Sequence, residues 1–152
     1  MLDIDKLATD LTRDEGCVLK PYLCTAGKLT IGVGRNLDDV GITAGEAAHL
    51  LENDIKSVIR ELDAALPWWR EMDEPRQRVL ANMCFNLGLS RLLKFRKALA
   101  AMKAGDYDTA AKEMLDSRWA VQVKGRAKRL ARIMRKGSNG GARLSASLPR
   151  TG

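Results

Sequence analysis

Apolar and polar positions alternate in two different ways in the first forty residues. Apolar residues first recur at three- and four-residue intervals, at Ile4, Leu7, Ala8 and Leu11. This spacing predicts an amphipathic helix over residues 3–14 that is stopped by Gly16. Residues 18–37 instead contain short β-prone pieces, Leu29-Thr30-Ile31 and Val33, between glycines, which predicts a small, turn-rich sheet. Such a sheet has too few apolar residues for a core and must pack on helices.

A second, longer helix is predicted to begin at a capping box. In Thr43-Ala44-Gly45-Glu46 the Thr hydroxyl can accept from an amide of the first turn, and the Glu carboxylate can accept from the Thr amide. Apolar positions then keep one helical face until Pro67, which predicts a helix over residues 43–66. These positions are Ala47, Leu50, Leu51, Ile55, Val58, Ile59, Leu62 and Leu66. A helix of this length beside so small a sheet is typical of a connection between two lobes.

Further helical patterns follow the Trp68-Trp69 corner and predict a compact helical lobe. The predicted helices cover Pro75 to Leu87, Ser90 to Met102, Asp106 to Leu115 and about Val123 to Lys136. The predicted core includes Val79, Leu80, Met83, Leu92, Leu99, Met102, Met114, Leu130 and Met134. Residues 138–152 lack helical periodicity and aromatic side chains, which predicts a flexible basic tail.

The charge is unevenly distributed. The chain carries a formal net charge of +7, yet residues 117–152 hold ten Lys or Arg and no acidic residue, so the remainder is net −3. Such a basic segment would attract acidic cell-wall polymer or nucleic acid, although a solvated helix face accounts equally well for most of these charges. We find no recognised nucleic-acid-binding motif beside it, and a nucleic-acid-binding protein is the weaker alternative.

Several other classes of protein and site receive little support. Cys17, Cys24 and Cys84 are an odd number without CxxC spacing, and His49 is the lone histidine, so neither a disulfide framework nor a metal site is indicated. No apolar run approaches the roughly 20 residues that span a bilayer. The first residues lack the basic and apolar regions of a signal peptide. We therefore expect a protein held in the cytosol, without membrane insertion.

Residues 13–37, RDEGCVLKPYLCTAGKLTIGVGRNL, resemble the active-site segment of the T-even phage lysozymes. That family places a catalytic Glu, an Asp nine residues further on, and a Thr six residues after that. Glu15, Cys24 and Thr30 stand at these positions, so a thiol replaces the second carboxylate. The resemblance implies that Glu15 is the general acid, with its proton held by burial, and that Thr30 places the attacking water.

The resemblance extends into the helical lobe. Asn82-Met83-Cys84-Phe85-Asn86-Leu87-Gly88 resembles a family segment whose Phe lines the cleft, although Phe85 could equally be a core residue. Ser117-Arg118-Trp119, Gln122 and Arg126-Ala127-Lys128-Arg129 resemble a run whose first clustered Arg approaches the catalytic Glu. The chain departs from the family at Arg35, Asn36, Ala98 and Glu113, the last two replacing a Ser and an Asn of the substrate contacts. The implied substrate-binding residues are Asn36, Phe85, Glu113, Ser117 and Arg126.

The resemblance implies an α+β, two-lobed lysozyme-like domain over residues 1–137. A helix and small antiparallel sheet form the first lobe over residues 1–42, residues 43–66 form the connecting helix, and residues 67–137 form the helical lobe. The implied function is that of a phage endolysin, a muramidase that hydrolyses the β-1,4 bond between N-acetylmuramic acid and N-acetylglucosamine in peptidoglycan during host lysis. The protein would be a monomer without cofactor or metal, and would stay in the host cytoplasm until a holin releases it.

Cys24 leaves three alternatives open. Its thiolate could act as the second catalytic group, with Lys20 and Lys28 increasing the ionised fraction. It could instead be a passive filler, which would leave a catalytically impaired homologue that binds peptidoglycan. In the third alternative it is an oxidation switch that pairs with Cys17 or Cys84.

Overall fold

A computed structural model describes residues 1–138 and divides the chain into two compact units. The first unit is Met1–Leu51 and the second begins at Glu52. The predicted tail, residues 138–152, lies outside the described residues except for Ser138. The described chain is mostly helical with one three-stranded antiparallel sheet, as the α+β prediction requires.

The first helix, α1 (Ile4–Glu15), is capped at both ends. The Asp3 carboxylate accepts from the Lys6 amide at 3.0 Å, which satisfies one of the free amides of the first turn. Gly16 ends the helix at φ +75°, and its amide donates to the Thr12 carbonyl at 2.8 Å. The observed bounds lie within one residue of the prediction and make Glu15 the last helical residue.

The sheet has the order β1 (Val18–Leu23), β2 (Leu29–Gly32) and β3 (Arg35–Asn36). Thr30 lies on the central strand, opposite Tyr22 on one side and Asn36 on the other. In residues 1–51, all of which the structure describes, it is the one buried residue. Val33 was predicted to be extended, which is wrong, because it lies in the turn between β2 and β3.

The capping box at the start of α2 (Ala44–Ala65) is confirmed and includes an unpredicted third residue. The Glu46 amide donates to the Thr43 hydroxyl at 3.1 Å, and the Thr43 amide donates to Glu46 Oε1 at 2.9 Å. Arg35 Nη1 donates to the same Oε1 at 2.8 Å and to the Gly41 carbonyl at 3.1 Å. These bonds fix the last strand to the start of α2.

The predicted apolar face of α2 is buried only in its second half. Val58, Leu62 and Leu66 belong to the core of the second unit. Leu50 and Ile55, on the same predicted face, are exposed. Periodicity indicates which residues share a face, but not how far along the helix a neighbour covers it.

The second unit is helical, and all nine predicted core residues are buried in it. A 3-10 turn at Pro67–Glu71 precedes α3 (Glu74–Leu87), α4 (Leu89–Leu92), α5 (Arg96–Ala104), α6 (Tyr107–Leu115), α7 (Arg118–Val123) and α8 (Gly125–Lys136). The predicted helix over Ser90 to Met102 is two helices, because the Lys94 and Phe95 amides bond three residues back, to Arg91 and Leu92. The helix expected to begin near Val123 is preceded by α7, and Lys124 separates the two at φ +49°.

Arg76 holds the end of α8 inside the second unit. Its buried guanidinium donates to the carbonyls of Met134 and Arg135 at 2.6 and 2.9 Å. It also pairs with Asp73 at 3.0 Å and lies 3.6 Å from the centre of the Tyr107 ring. These contacts satisfy carbonyls that a helix end leaves unbonded, so α8 is fixed at its C-terminus.

We predict that Glu46→Gln weakens the first unit in a pH-dependent way. The Arg35 guanidinium, followed by the Thr43 amide, lowers the pKa of Glu46 from 4.5 to about 2. A lowered carboxyl pKa stabilises the fold above the unfolded value, and that contribution is lost as pH falls from about 4.5 towards 2. In urea unfolding of the full chain, the free energy of unfolding of the parent should therefore exceed that of the variant near neutral pH. This difference in free energy should vanish near pH 2.

The matched control is Glu52→Gln on the same helix. Glu52 pairs with Lys56 at 3.1 Å in an exposed i,i+4 geometry, which contributes little to stability. The prediction would be contradicted if both variants lost the same free energy of unfolding, or if the difference in free energy between Glu46→Gln and the parent persisted at pH 2.

Candidate active site

Glu15 lies against the turn that joins β2 to β3. A methyl group placed on Gly34 would stand 3.3 Å from Glu15 Oε2, so the carboxyl contacts this part of the backbone closely. Gly34 also has φ +69°, which side chains rarely adopt. The predicted burial of Glu15 is not found, since the residue is exposed. It belongs to the end of a helix, and its neighbours in the first unit leave the carboxyl open to solvent.

Cys24 is the first residue of the turn between β1 and β2. The Gly27 amide donates to the Cys24 carbonyl at 2.8 Å, and the Cys24 amide donates to the Lys28 carbonyl at 3.0 Å. Gly27 has φ +74°, as in a three-residue hairpin loop with a left-handed last residue. The first position of such turns favours short side chains that accept hydrogen bonds from turn amides. The sulfur of a cysteine at this position lies beside the same amides.

These donors lower the pKa of the Cys24 thiol. The backbone amide of Lys28 has the largest effect and that of Ala26 the next, while partial burial opposes them and the Thr30 hydroxyl adds a smaller lowering effect. Hydrogen bonds to the thiolate stabilise the ionised form. The predicted cause, the lysine ammonium groups, is wrong. Lys28 acts through its backbone, and its ammonium pairs with Asp39 at 3.2 Å instead.

Thr30 links the sheet to the thiol. Its side chain is 3% exposed, and its hydroxyl donates to the Lys28 carbonyl at 2.9 Å. A hydroxyl has one proton, so Thr30 can donate either to this carbonyl or to the Cys24 thiolate. Through its effect on the pKa of Cys24, Thr30 is linked to the thiol, while its predicted role in placing water stays a prediction.

The structure does not favour the disulfide alternative. Cys17 and Cys24 flank the ends of β1, so an extended strand separates their Cα atoms by roughly 20 Å, whereas a disulfide requires less than about 7 Å. Cys84 is 2% exposed in the core, where burial, followed by the charge of Glu61, raises the pKa of its thiol. Pairing with either residue would require the fold to open.

The second unit contains a surface pocket of about 730 Å³ that includes two of the predicted substrate-binding residues, Glu113 and Ser117. Ser117 caps α7 by accepting from the Ala120 amide at 3.1 Å and donates to the Met114 carbonyl at 2.7 Å. Ala98, one of the positions that depart from the family pattern, also lines the pocket.

The other predicted substrate-binding residues lie outside this pocket. Phe85 is 48% exposed on α3, so the core alternative is wrong for it. Arg126 donates twice to Asn82 Oδ1, at 3.1 and 2.7 Å. Asn36 exchanges hydrogen bonds with Asp39 at the end of β3, at 2.9 and 3.0 Å. Their roles in binding stay predictions.

Two kinds of feature are absent from the described residues, 1–138. No group of three or more His, Cys, Asp or Glu is close enough to hold a metal ion. No helix combines the length and apolar character that crossing a membrane requires.

A family model for phage lysozymes matches residues 12–137. The chain belongs to the phage lysozyme family. The match includes Glu15, Cys24 and Thr30 and ends one residue after α8. The α+β lysozyme-like fold and the relation to T-even phage lysozymes are thereby confirmed, and the family acts on peptidoglycan.

Relatives of this phage lysozyme family member differ in length and setting. The pre-baseplate central spike protein Gp5 of Enterobacteria phage T4 is 34% identical, but the alignment covers 87% of this chain and 28% of the spike protein. Probable T4-type lysozyme 2 of Dictyostelium discoideum is 27% identical, and the alignment covers 89% of this chain and 96% of that protein. The endolysin of Acyrthosiphon pisum secondary endosymbiont phage 1 is 29% identical, and the alignment covers 69% of this chain and 72% of the endolysin.

Sequence reasoning missed two features, one in each unit. The first is the contact between Gly34 and Glu15, which the glycine spacing alone does not reveal. The second is a set of basic residues around the pocket of the second unit, four of which fall within residues 91–97. The density of Arg and Lys in this segment, RLLKFRK, was the available signal.

We predict that Cys24 is alkylated at a lower pH than an unperturbed cysteine. Its thiolate is stabilised by the turn amides, so the rate of reaction with iodoacetamide should reach half its maximum below the value of about 8.5 for a free thiol. Peptide mass spectrometry of the modified protein would measure this rate separately for each cysteine. The urea-unfolded chain is the control, and Cys84 should react only there. The prediction fails if Cys24 shows the same midpoint in folded and unfolded protein.

Proposed function

We propose that this phage lysozyme family member is a muramidase that hydrolyses the β-1,4 bond between N-acetylmuramic acid and N-acetylglucosamine in peptidoglycan. The observation that carries the proposal is the thiol at position 24, whose pKa is lowered by its own turn. It gives the family's second catalytic position a group whose anionic form is stabilised by the backbone amides of the turn. The family match over residues 12–137 supports the substrate class.

Glu15 is the proposed general acid. Cleavage requires a proton on the leaving glycosidic oxygen, and a carboxylic acid supplies it only while it is protonated. The Glu15 carboxyl is exposed, so in this proposal a bound saccharide excludes water from it before the proton is transferred. The close approach of Gly34 limits where this carboxyl can turn.

Cys24 is the proposed second catalytic group, and two routes use its thiolate. In the first, the sulfur attacks the anomeric carbon while the bond to the leaving oxygen breaks and Glu15 protonates that oxygen. Water, deprotonated by the Glu15 carboxylate, then displaces the sulfur and restores the thiolate with net retention. In the second, the thiolate orients or deprotonates water for direct attack, with inversion. Thr30 positions the thiolate in both routes by donating its hydroxyl proton to the sulfur.

The catalytic assignment is tested with four proteins on purified peptidoglycan under reducing conditions. The parent should release new reducing ends, and Glu15→Gln should release none above background. The activity of Cys24→Ser should be at least about tenfold lower than that of the parent, since a serine hydroxyl does not ionise near neutral pH. Cys24→Asp should retain activity. Proton NMR during the reaction identifies the anomer that forms first, which distinguishes retention from inversion. An inactive parent beside an active Cys24→Asp would refute the catalytic thiol.

That last outcome would support a second candidate, a peptidoglycan-binding homologue with impaired catalysis. The replacement of a carboxylate by Cys24 is the observation that favours it. Such a protein should sediment with peptidoglycan and leave it uncleaved.

We propose host-cell lysis as the biological setting, with the protein held in the host cytoplasm as a monomer until a holin permits its release. The endolysin relative supports this setting. The similarity to a spike protein supports a different one, in which the same wall-cleaving unit belongs to a particle component. Mass spectrometry of purified particles and of the soluble lysate separates the two, because a lysis enzyme should be absent from washed particles.

We predict that Gly34→Ala lowers activity much more than its effect on stability explains. The alanine would be strained by about 1–2 kcal/mol at φ +69°, and its methyl group would press on the Glu15 carboxyl. The rate of peptidoglycan clearing should fall at least about tenfold. Gly41→Ala is the matched control, because Gly41 has φ +67° and a methyl group placed on it would come no closer than 4.0 Å to a neighbouring atom, a backbone oxygen. Similar rates in the two variants would refute a role for the contact between Gly34 and Glu15.

A further inference from the structure

The carboxylate of Asp38 completes the hydrogen bonding of β2 at the point where β3 ends. Leu29 is the first residue of β2, and it lies opposite Leu37 when the register of the two strands is continued by one residue. The Leu37 amide donates to the Leu29 carbonyl at 2.7 Å, as in a hydrogen-bonded antiparallel pair. The Leu37 carbonyl instead accepts from the Gly41 amide, at 3.1 Å. The Leu29 amide donates to Asp38 Oδ2 at 2.7 Å, so this side chain takes the place of a strand carbonyl.

The bond from Leu29 to Asp38 adjoins the turn that carries Cys24. The Lys28 carbonyl accepts from the Cys24 amide at 3.0 Å and from the Thr30 hydroxyl at 2.9 Å. This carbonyl and the Leu29 amide belong to one planar peptide unit. Three hydrogen bonds, two to the carbonyl and one from the amide, therefore hold the same plane. Rotation of the plane would weaken all three.

The same plane controls the direction of the main donor to the thiol. The Lys28 amide has the largest effect on Cys24, whose pKa it lowers. That amide belongs to the preceding peptide unit, and only the two backbone rotations of Lys28 separate it from the plane that Asp38 holds. A hydrogen bond weakens steeply as its angle departs from linearity, so the donor stabilises a thiolate only while it is directed at the sulfur.

We propose that Asp38 is a positioning residue for the hydrolysis, because it holds the start of β2 so that the turn amides stay directed at the Cys24 sulfur. The inference rests on the proposed function for its consequence in catalysis, since a thiol without a chemical role would gain nothing from the alignment. Its consequence for the thiol itself is measured without any substrate.

Asp39 provides a matched control at the next position. Within residues 1–138 its carboxylate bonds to side chains, accepting from the Lys28 ammonium at 3.2 Å and from the Asn36 amide group at 2.9 Å. Neither bond reaches the peptide plane between Lys28 and Leu29. Asp39→Ala therefore removes the same charge as Asp38→Ala and leaves the plane in place.

Charge and geometry predict opposite effects of removing Asp38. Loss of a nearby negative charge would favour the thiolate, whereas loss of the alignment would disfavour it. In the parent, hydrogen bonds from the turn lower the pKa of Cys24 and partial burial opposes them, while the neighbouring charges are not among the causes. The charged groups on the sheet, on the turn after it and at the end of α1 are Glu15, Lys20, Lys28, Arg35, Asp38 and Asp39.

Three substitutions at Asp38 separate the two effects. Asp38→Ala and Asp38→Leu remove the charge and the acceptor together. Asp38→Asn removes the charge but keeps an oxygen that can accept from the Leu29 amide, in a side chain of nearly the same shape as leucine. The asparagine variant should therefore resemble the parent if geometry decides. A charge effect would instead make all three variants alike.

The experiment measures the pH dependence of iodoacetamide alkylation at Cys24 in the full chain, by peptide mass spectrometry. The midpoint should rise by at least about 0.5 pH unit in Asp38→Ala and in Asp38→Leu. It should stay within about 0.2 pH unit of the parent in Asp38→Asn and in Asp39→Ala. Circular dichroism and urea unfolding establish that each variant is folded.

Hydrogen exchange in the parent tests the bond without any substitution. Leu29 is 37% exposed, yet its amide should exchange at least about tenfold more slowly than in the urea-unfolded chain, because Asp38 accepts from it. NMR resolves this amide from its neighbours. An unprotected Leu29 amide overturns the inference. So does a parent whose Cys24 midpoint equals that of the unfolded chain, or a midpoint that falls in all three Asp38 variants.

Clearing of peptidoglycan separates this inference from the proposed function. If both hold, Asp38→Ala should clear at least about threefold more slowly than the parent at pH 7, and Asp38→Asn should keep the rate of the parent. If the midpoint rises as expected but the parent clears nothing, the alignment by Asp38 stands and the proposed function fails. If the parent clears while every variant keeps its midpoint, the inference fails and the proposed function stands.

Discussion

The first unit holds its shape through directed polar contacts, because none of the apolar side chains in residues 1–51 is buried. Arg35 joins β3 to the start of α2 through Glu46, and Asp38 accepts from the Leu29 amide at 2.7 Å. The turn from Cys24 to Lys28 closes through two backbone hydrogen bonds. Hydrogen bonds fix direction as well as distance, whereas apolar contacts permit sliding. The position of each catalytic candidate therefore depends on a small number of such bonds.

The chemistry of the thiol follows from the same bonds. The amides of Ala26 and Lys28 point towards the first side chain of the turn because the hairpin geometry requires it. A carboxylate at that position would be stabilised in the same way, and so would a thiolate. The contrast with Cys84 illustrates the principle, since burial without donors raises the pKa of that thiol. Environment, rather than residue type, shifts the pKa values of these two thiols in opposite directions.

Sequence patterns predicted the fold well where a single physical rule decides the outcome. Helical spacing identified the nine core residues, and the pairing of Thr43 with Glu46 identified the start of α2. They failed where neighbouring residues decide the local geometry, as at the break before α5 and at Val33, which lies in a turn. The site shows the same division. The spacing of Glu15, Cys24 and Thr30 is visible in the sequence. The direction of the turn amides and the grouping of basic residues around a pocket arise only when the chain folds.

The two donors with the largest effect on Cys24 are the backbone amides of Lys28 and Ala26, which remain when the side chains of those residues change to anything but proline. The position can therefore exchange a carboxylate for a thiol without rebuilding the hairpin. Evolution thereby has a route between two kinds of acidic side chain on one scaffold. A mild thiol-reactive inhibitor should accordingly discriminate this protein from relatives that carry aspartate there, because only the sulfur forms a covalent bond with it.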